Sequence, residues 1–160
     1  MPIPYRGREM NWRVETVPLN DEAAFEEIKE FCTEAGLPFF PPVMNNLHTQ
    51  FVIRDADGRL GAAGRLETNY DHPMVEEIAV RKDLRRKGLG KKIVDAILNQ
   101  ARAEGIETIW VMARAPELFM SIGFEPTDDE DLLPKLKEEC RVCRDHITVC
   151  NPILMKKKLL

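Results

Sequence analysis

Residues 88–103 carry one long amphipathic repeat: Leu89, Ile93, Ile97 and Ala101 recur every fourth position, with Val94 and Leu98 beside them. That spacing predicts a helix with a single apolar stripe, and such a stripe has to be covered by a second layer. Gly105 stands where it can close the helix. Two short apolar runs flank it, residues 75–80 before and 106–112 after, each of strand length. Strand, helix and strand in this order predict a βαβ-like unit over residues 75–112, and with it an α/β fold class.

The remaining segments are arranged around that unit. Residues 12–17 alternate as a strand does, and Asn20 or Asp21 can cap a helix on which Phe25, Ile28 and Phe31 share a face. Gly36 and the prolines at 38, 41 and 42 predict a loop over residues 36–46. Residues 51–54 and 60–66 read as a hairpin with Asp57-Gly58 in its turn. A short helix over 116–122, with Pro116 in its first turn, and a last strand within 147–160 complete the pattern. A length of 160 residues suits one domain, and no interior linker breaks it, so residues 1–160 are read as a single domain. Residues 134–160 form a cysteine-containing C-terminal extension within it.

A net charge of −4 argues against a nucleic-acid partner or an anionic membrane surface. No apolar run approaches the ~20 residues that span a bilayer, and the first residues lack the apolar stretch of a signal peptide. The expected setting is cytoplasmic, where the four cysteines would be reduced thiols or metal ligands and not a disulfide framework.

Arg85-Arg86-Lys87-Gly88-Leu89-Gly90 is the stretch that carries chemistry. Its glycines remove side chains where backbone must approach a ligand, and they sit where the long helix begins, with its free N–H groups and positive dipole end. The cations upstream add attraction for phosphate. A basic loop easing a helix start has the same composition, and the spacing is that of neither a P-loop nor a dinucleotide fingerprint. In context, the run from Ile78-Ala79-Val80 through Arg85 to Gly90 resembles the cofactor motif of the GNAT acetyltransferase superfamily. Ala115-Pro116-Glu117-Leu118-Phe119-Met120-Ser121-Ile122-Gly123-Phe124 resembles that superfamily's short helix and Gly-Phe turn.

The resemblance implies a twisted, mixed, mostly antiparallel sheet split into a V and flanked by helices, with acetyl-CoA in the opening. Ile78, Ala79 and Val80 would hold the pantetheine arm through their backbone. Arg85, Arg86, Lys87, Gly88, Leu89 and Gly90 would bind the pyrophosphate. A neutral amine would attack the thioester directly, which requires a base for the substrate ammonium. Glu76 and Glu77 are the candidates, expected on opposite sheet faces, with Glu76 on the favoured parity; either can equally be a plain exposed strand carboxylate. His72 is a further candidate base. Many relatives place a tyrosine acid where this chain has Phe119.

The segment from Gly123 onward is similar to the end of N-acetylglutamate synthase acetyltransferase domains, and the tail to short single-domain relatives of those enzymes. That resemblance implies L-glutamate or a similar amino acid as acceptor, in arginine biosynthesis, with Arg65, Arg114 and Arg54 available for its carboxylates. Met74 departs from it, since those relatives carry Glu there. The alternatives are another amine (antibiotic, polyamine or protein N-terminus) and a CoA-binding sensor module that has lost catalysis. The partner in the enzymatic readings is a small-molecule amine, and a homodimer is allowed. Cys140, Cys143, His146 and Cys150 have the ligand types of a structural zinc site, or they are reduced thiols packing a C-terminal loop. Cys32, Trp110 and Phe124 read as core.

Overall fold

The computed structural model describes residues 12–141 and 152–160. Strand β1 (Val14–Val17) leads into helix α1 (Glu22–Glu34), whose first turn is capped by Asp21 accepting from the Ala24 amide at 3.0 Å. Only a single 3₁₀ turn, Met44–Asn46, interrupts the expected loop before strand β2 (Leu47–Arg54). Strands β3 (Leu60–Asn69) and β4 (His72–Val80) follow, then helix α2 (Leu89–Ala103) and strand β5 (Thr108–Ala113). Helix α3 (Pro116–Ile122), the two-residue strand β6 (Glu125–Pro126), helix α4 (Leu133–Arg141) and strand β7 (Ile153–Lys158) complete the described chain.

All seven strands form one sheet in the order β1-β2-β3-β4-β5-β7-β6. Every pairing is antiparallel except β4 with β5, which are joined through α2 as the βαβ reading requires. Helices cover both faces. Ile28, Phe31 and Cys32 of α1 pack on Val52, Leu60, Ala63 and Ala79. On the other face, Ile93, Val94, Ile97 and Leu98 of α2 pack on Ile53, Ala62, Leu66 and Val75. Strand β3 lies between the two layers and is buried from Leu60 to Glu67, which explains its run Gly61-Ala62-Ala63-Gly64. A Cβ at Gly64 would come within 2.4 Å of Ile78 Cδ1 and 2.5 Å of Ile93 Cγ2, so the helix packs this closely only against glycine.

Two features of β4 shape everything that follows. It pairs with β5 only at Met74↔Trp110 and Val75↔Val111, and beyond these the two strands part. Opposite β3, the register jumps from Ala79↔Ala63 to Glu76↔Arg65, so two residues of β4 face Gly64 alone. This β-bulge puts Glu77 at φ +54. The sequence contains no glycine there to announce it. Helix α4 and the β3–β4 turn, with Tyr70 and Asp71 both at positive φ, likewise have no counterpart in the sequence reading. No helix among the described residues is long and apolar enough to cross a membrane.

Candidate active site

Where β4 leaves β5, a cleft of about 240 Å³ opens between Glu76, Glu77 and Ile78 on one side and Val111, Met112 and Arg114 on the other. Leu37, Pro38 and Phe40 form one wall, from the loop after α1. Leu118 and Phe119 of α3 also line it, as do Leu136 and Glu139 of α4.

The bulge corrects one expectation. Simple alternation sends Glu76 and Glu77 to opposite faces, but with Glu77 in the left-handed region both side chains line the same cleft. Glu76 Oε2 accepts from Asn69 Nδ2 at 2.9 Å, while Glu77 Oε1 receives a long bond, 3.4 Å, from the Phe40 amide. Glu77 Oε2 is buried with no hydrogen-bond partner among the described residues. Burial pushes the Glu76 carboxyl up to about 8 and the Glu77 carboxyl up to about 7. For each, the nearby Arg65 guanidinium opposes that rise and the negative charge of Glu67 adds to it. Burial and the charge of Glu67 also raise Glu139.

The three arginines considered for an acidic substrate separate widely. Arg54 makes a two-pronged pair with Glu27 of α1, with bonds of 3.0 and 2.9 Å, and does not line the cleft. Arg114 does line it. Arg65 lies beneath, 2% exposed and paired with Glu67 at 2.9 Å. His72 does not line the cleft either, since its ring packs edge-on against Trp110 with 4.6 Å between centroids, and its Nδ1 meets the Tyr70 carbonyl. Glu67, Asn69 and Phe40 escaped the sequence reading. One signal for Glu67 was present: Arg65 and Glu67 stand two apart directly after the small and apolar run of residues 60–64, which puts opposite charges on one buried face.

At the start of α2, outside the residues that line the cleft, Gly88 is the N-cap at φ +82, with no side-chain cap on the helix's first amides and open space where a Cβ would stand. Arg86 and Lys87 are exposed beside it. Arg85 behaves differently, donating from Nε to the Val80 carbonyl at 3.2 Å and from Nη2 to the Ala35 carbonyl at 2.8 Å. It braces the turn against the end of α1. Phe119 is buried and stacks edge-on with Phe124, 5.3 Å between centroids.

Of the candidate zinc ligands, Cys143, His146 and Cys150 lie outside the described residues, and Cys140 is described only as part of helix α4. Among the described residues no group of His, Cys, Asp and Glu is arranged to hold a metal ion. Cys32 is fully buried, and burial pushes its thiol up to about 12.

The chain is similar in sequence or in fold to known proteins. The amino-acid acetyltransferase of Pseudomonas syringae pv. syringae is 34% identical over 92 residues, 56% of this chain and 21% of its own length. The [ribosomal protein bS18]-alanine N-acetyltransferase of Salmonella typhimurium is 30% identical over 74 residues, 43% of this chain and 50% of its own length. The chain thus spans half or less of these relatives. Among solved structures, N-acetylglutamate synthase from Neisseria gonorrhoeae, complexed with coenzyme A and N-acetyl-glutamate, superposes with TM-score 0.67 at 16% identity. It covers 94% of this chain and 35% of its own. That likeness is one of fold. The family model of the Acetyltransferase (GNAT) family matches residues 8–124, well over half the sequence. With the split sheet and the glycine turn at the start of α2, the chain belongs to the GNAT acetyltransferase family.

Proposed function

We propose that this chain is an acetyl-CoA-dependent N-acetyltransferase acting on a small amine, and that Glu77, with Glu76 beside it, takes up the amine's proton. The observation that carries this is the pair of raised carboxyls side by side where β4 departs from β5. A carboxyl near neutrality can both accept and release a proton at working pH, which is what general-base catalysis needs. Glu77 is preferred because one of its oxygens has no partner among the described residues and its backbone is held at positive φ.

The cofactor end supports the same reading. Beyond Val75 the β5-facing edge of β4 has no strand partner, which leaves backbone of Ile78, Ala79 and Val80 for a pantetheine arm. The uncapped amides after Gly88, with Arg86, Lys87, Leu89 and Gly90, suit a pyrophosphate. Acetyl-CoA, when bound, supplies a thioester acetyl group. No Ser, Thr or Cys is among the described residues lining the cleft, which favours direct attack by the amine over an acyl-enzyme. A cytoplasmic setting accords with this reading.

For the acceptor, charge is the guide. Glu76, Glu77 and Glu139 line the cleft against Arg114, which favours an amine carrying few or no carboxylates. L-Glutamate, and with it a place in arginine biosynthesis, is the second reading. It is favoured by Arg114 in the cleft, by Arg65 behind it, and by the stretch shared with amino-acid acetyltransferases. Thiol release should be measured at equal concentrations of spermidine, an aminoglycoside, an alanine-led peptide and L-glutamate. Saturation with the amines lacking acidic groups supports the first reading, and turnover confined to glutamate replaces it with the second. Tight acetyl-CoA binding with no release for any amine would overturn both in favour of a sensor module.

A further inference from the structure

Arg65 and Glu67 stand two apart on β3, each 2% exposed, and form an ion pair of 2.9 Å inside the protein. Burying two charges is costly unless their remaining hydrogen-bonding groups are used; here Arg65 Nη2 and Glu67 Oε2 are used on one loop, while Arg65 Nη1 has no hydrogen-bond partner among the described residues. Arg65 Nη2 donates to the Phe40 carbonyl at 2.7 Å, and its guanidinium lies 5.8 Å from the centre of the Phe39 ring. Glu67 Oε2 accepts from the Val43 amide at 2.8 Å. The Phe40 amide reaches on to Glu77. Segment 39–43, which supplies Phe40 to the cleft wall, is therefore tied to β3 and β4 by both halves of one ion pair and by the proposed base itself.

Resting on the acetyl-transfer reading above, we propose that Arg65 and Glu67 are positioning residues: they clamp, at Phe40 and Val43, the loop whose Phe40 forms the acceptor-side wall, and set the charge balance around Glu76 and Glu77. Neither touches the reacting atoms. Besides each other, the pair Glu76 and Glu77 meets Arg65 and Glu67 from β3, Cys32 from α1, Tyr70 from the β3–β4 turn, Arg114 after β5 and Glu139 from α4. Asn69 adds a neutral donor to Glu76. Within this set, Arg65 favours the ionised carboxylates and Glu67 disfavours them. Loosening the loop and shifting the base are thus separable effects. Any break in the pair frees the wall, but only the charge removed decides which way the base moves.

Arg65→Gln, Arg65→Lys, Glu67→Gln and the double variant Arg65→Gln/Glu67→Gln test this. Amide hydrogen exchange in the cofactor-free chain should accelerate at Phe40 and Val43 in all of them, with the β2–β3 ladder unchanged. The acceptor KM should rise roughly ten- to a hundred-fold while the acetyl-CoA KM stays near wild type. The rising limb of the kcat/KM pH profile should move up in Arg65→Gln, down in Glu67→Gln and little in Arg65→Lys, by about half to one pH unit. The double variant, with no lone buried charge, keeps the test open if a single variant fails to fold. Its limb should return near wild type while the two amides stay fast. Wild-type exchange at Phe40 and Val43 in a folded variant, or limb shifts of the same sign in Arg65→Gln and Glu67→Gln, would overturn the clamp. A wild-type chain that transfers no acetyl group would sink the reaction reading alone, since exchange still reports on the clamp.

Discussion

The glycine turn at the start of α2 and the carboxylate-lined cleft, the proposed acceptor end, are built by opposite means. At the α2 end the features are consecutive: the exposed Arg86, Lys87 and Gly88, two of them cationic, and the first amides of one helix. At the acceptor end, Phe40, Arg65, Glu67, Glu77, Arg114 and Glu139 come from a loop, two strands, a strand end and a helix. There the carboxylates outnumber the arginines. A phosphate site can be made from local backbone because helix amides and glycine supply both charge and room. A proton-accepting site needs carboxyls taken out of water and balanced against a buried cation, and only segments distant in sequence can enclose them. Changes at the acceptor end should therefore alter rate and pH dependence, whereas changes at the α2 end should alter affinity alone.

The largest expected effect is on turnover. Glu77→Gln should lower kcat by roughly 10²–10⁴-fold, the range for loss of a general base, with acetyl-CoA affinity retained. The loss should shrink at high pH, where the amine is already neutral. Glu76→Gln should cost less, since its carboxyl is already bonded by Asn69. Equal small effects of the two would break the comparison by removing chemistry from the acceptor end. Next is Gly90→Val, whose Cβ would meet only Leu118 Cδ2 at 3.6 Å and Val80 Cγ2 at 3.7 Å, so the fold should survive. Losing one or two charge-assisted amide contacts, at about 1.5–3 kcal/mol each, should weaken acetyl-CoA binding roughly tenfold or more by calorimetry. Unchanged affinity would move the cofactor elsewhere. Gly88→Val is a less clean probe, because at φ +82 it strains the backbone as well.

Stability should depend on pH through the acceptor end. Glu76 and Glu77 lie above their ordinary value of 4.5, at about 8 and about 7, so the fold favours their neutral forms. The stability they contribute is complete below about pH 4.5 and is lost as pH rises through about 7 and 8. Melting temperature should fall between pH 5 and 9, with each kcal/mol worth roughly 2–4 °C in a domain of this size. Glu76→Gln/Glu77→Gln should flatten that slope, and an unchanged slope would locate the titration elsewhere. The smallest effect is expected for Phe119→Tyr, which adds a hydroxyl to the α3 side of the cleft from which the thiolate is proposed to depart. A gain in kcat of a few-fold, with some stability lost to the buried hydroxyl, would sharpen the view that the enzyme works without an acid. A fall in kcat would argue against it.

Much of the architecture was legible because it is periodic. The stripe Leu89, Ile93, Ile97 and Ala101, the cap at Asp21 and Pro116 at the start of α3 became the helices they suggested. The glycine turn read correctly as a helix start because Gly88 acts there through its own backbone. The pairing of Glu76 with Glu77 was misread, since alternation along a strand assumes an unbroken ladder and the bulge opposite Gly64 breaks it.

What the sequence determined by itself, then, is the helix that carries the glycine turn, the strands on either side of it and the family to which they belong. Tertiary structure alone decided that Glu76 and Glu77 share a cleft, that Arg54 is spent on Glu27, and that Arg65 and Glu67 hold the loop at Phe40 and Val43. The physical reason is range. Helix periodicity, capping and glycine conformations act within a few residues, so they are written in order along the chain. Burial, charge balance and a bulge's register depend on what packs from far away in sequence, and no local pattern records them.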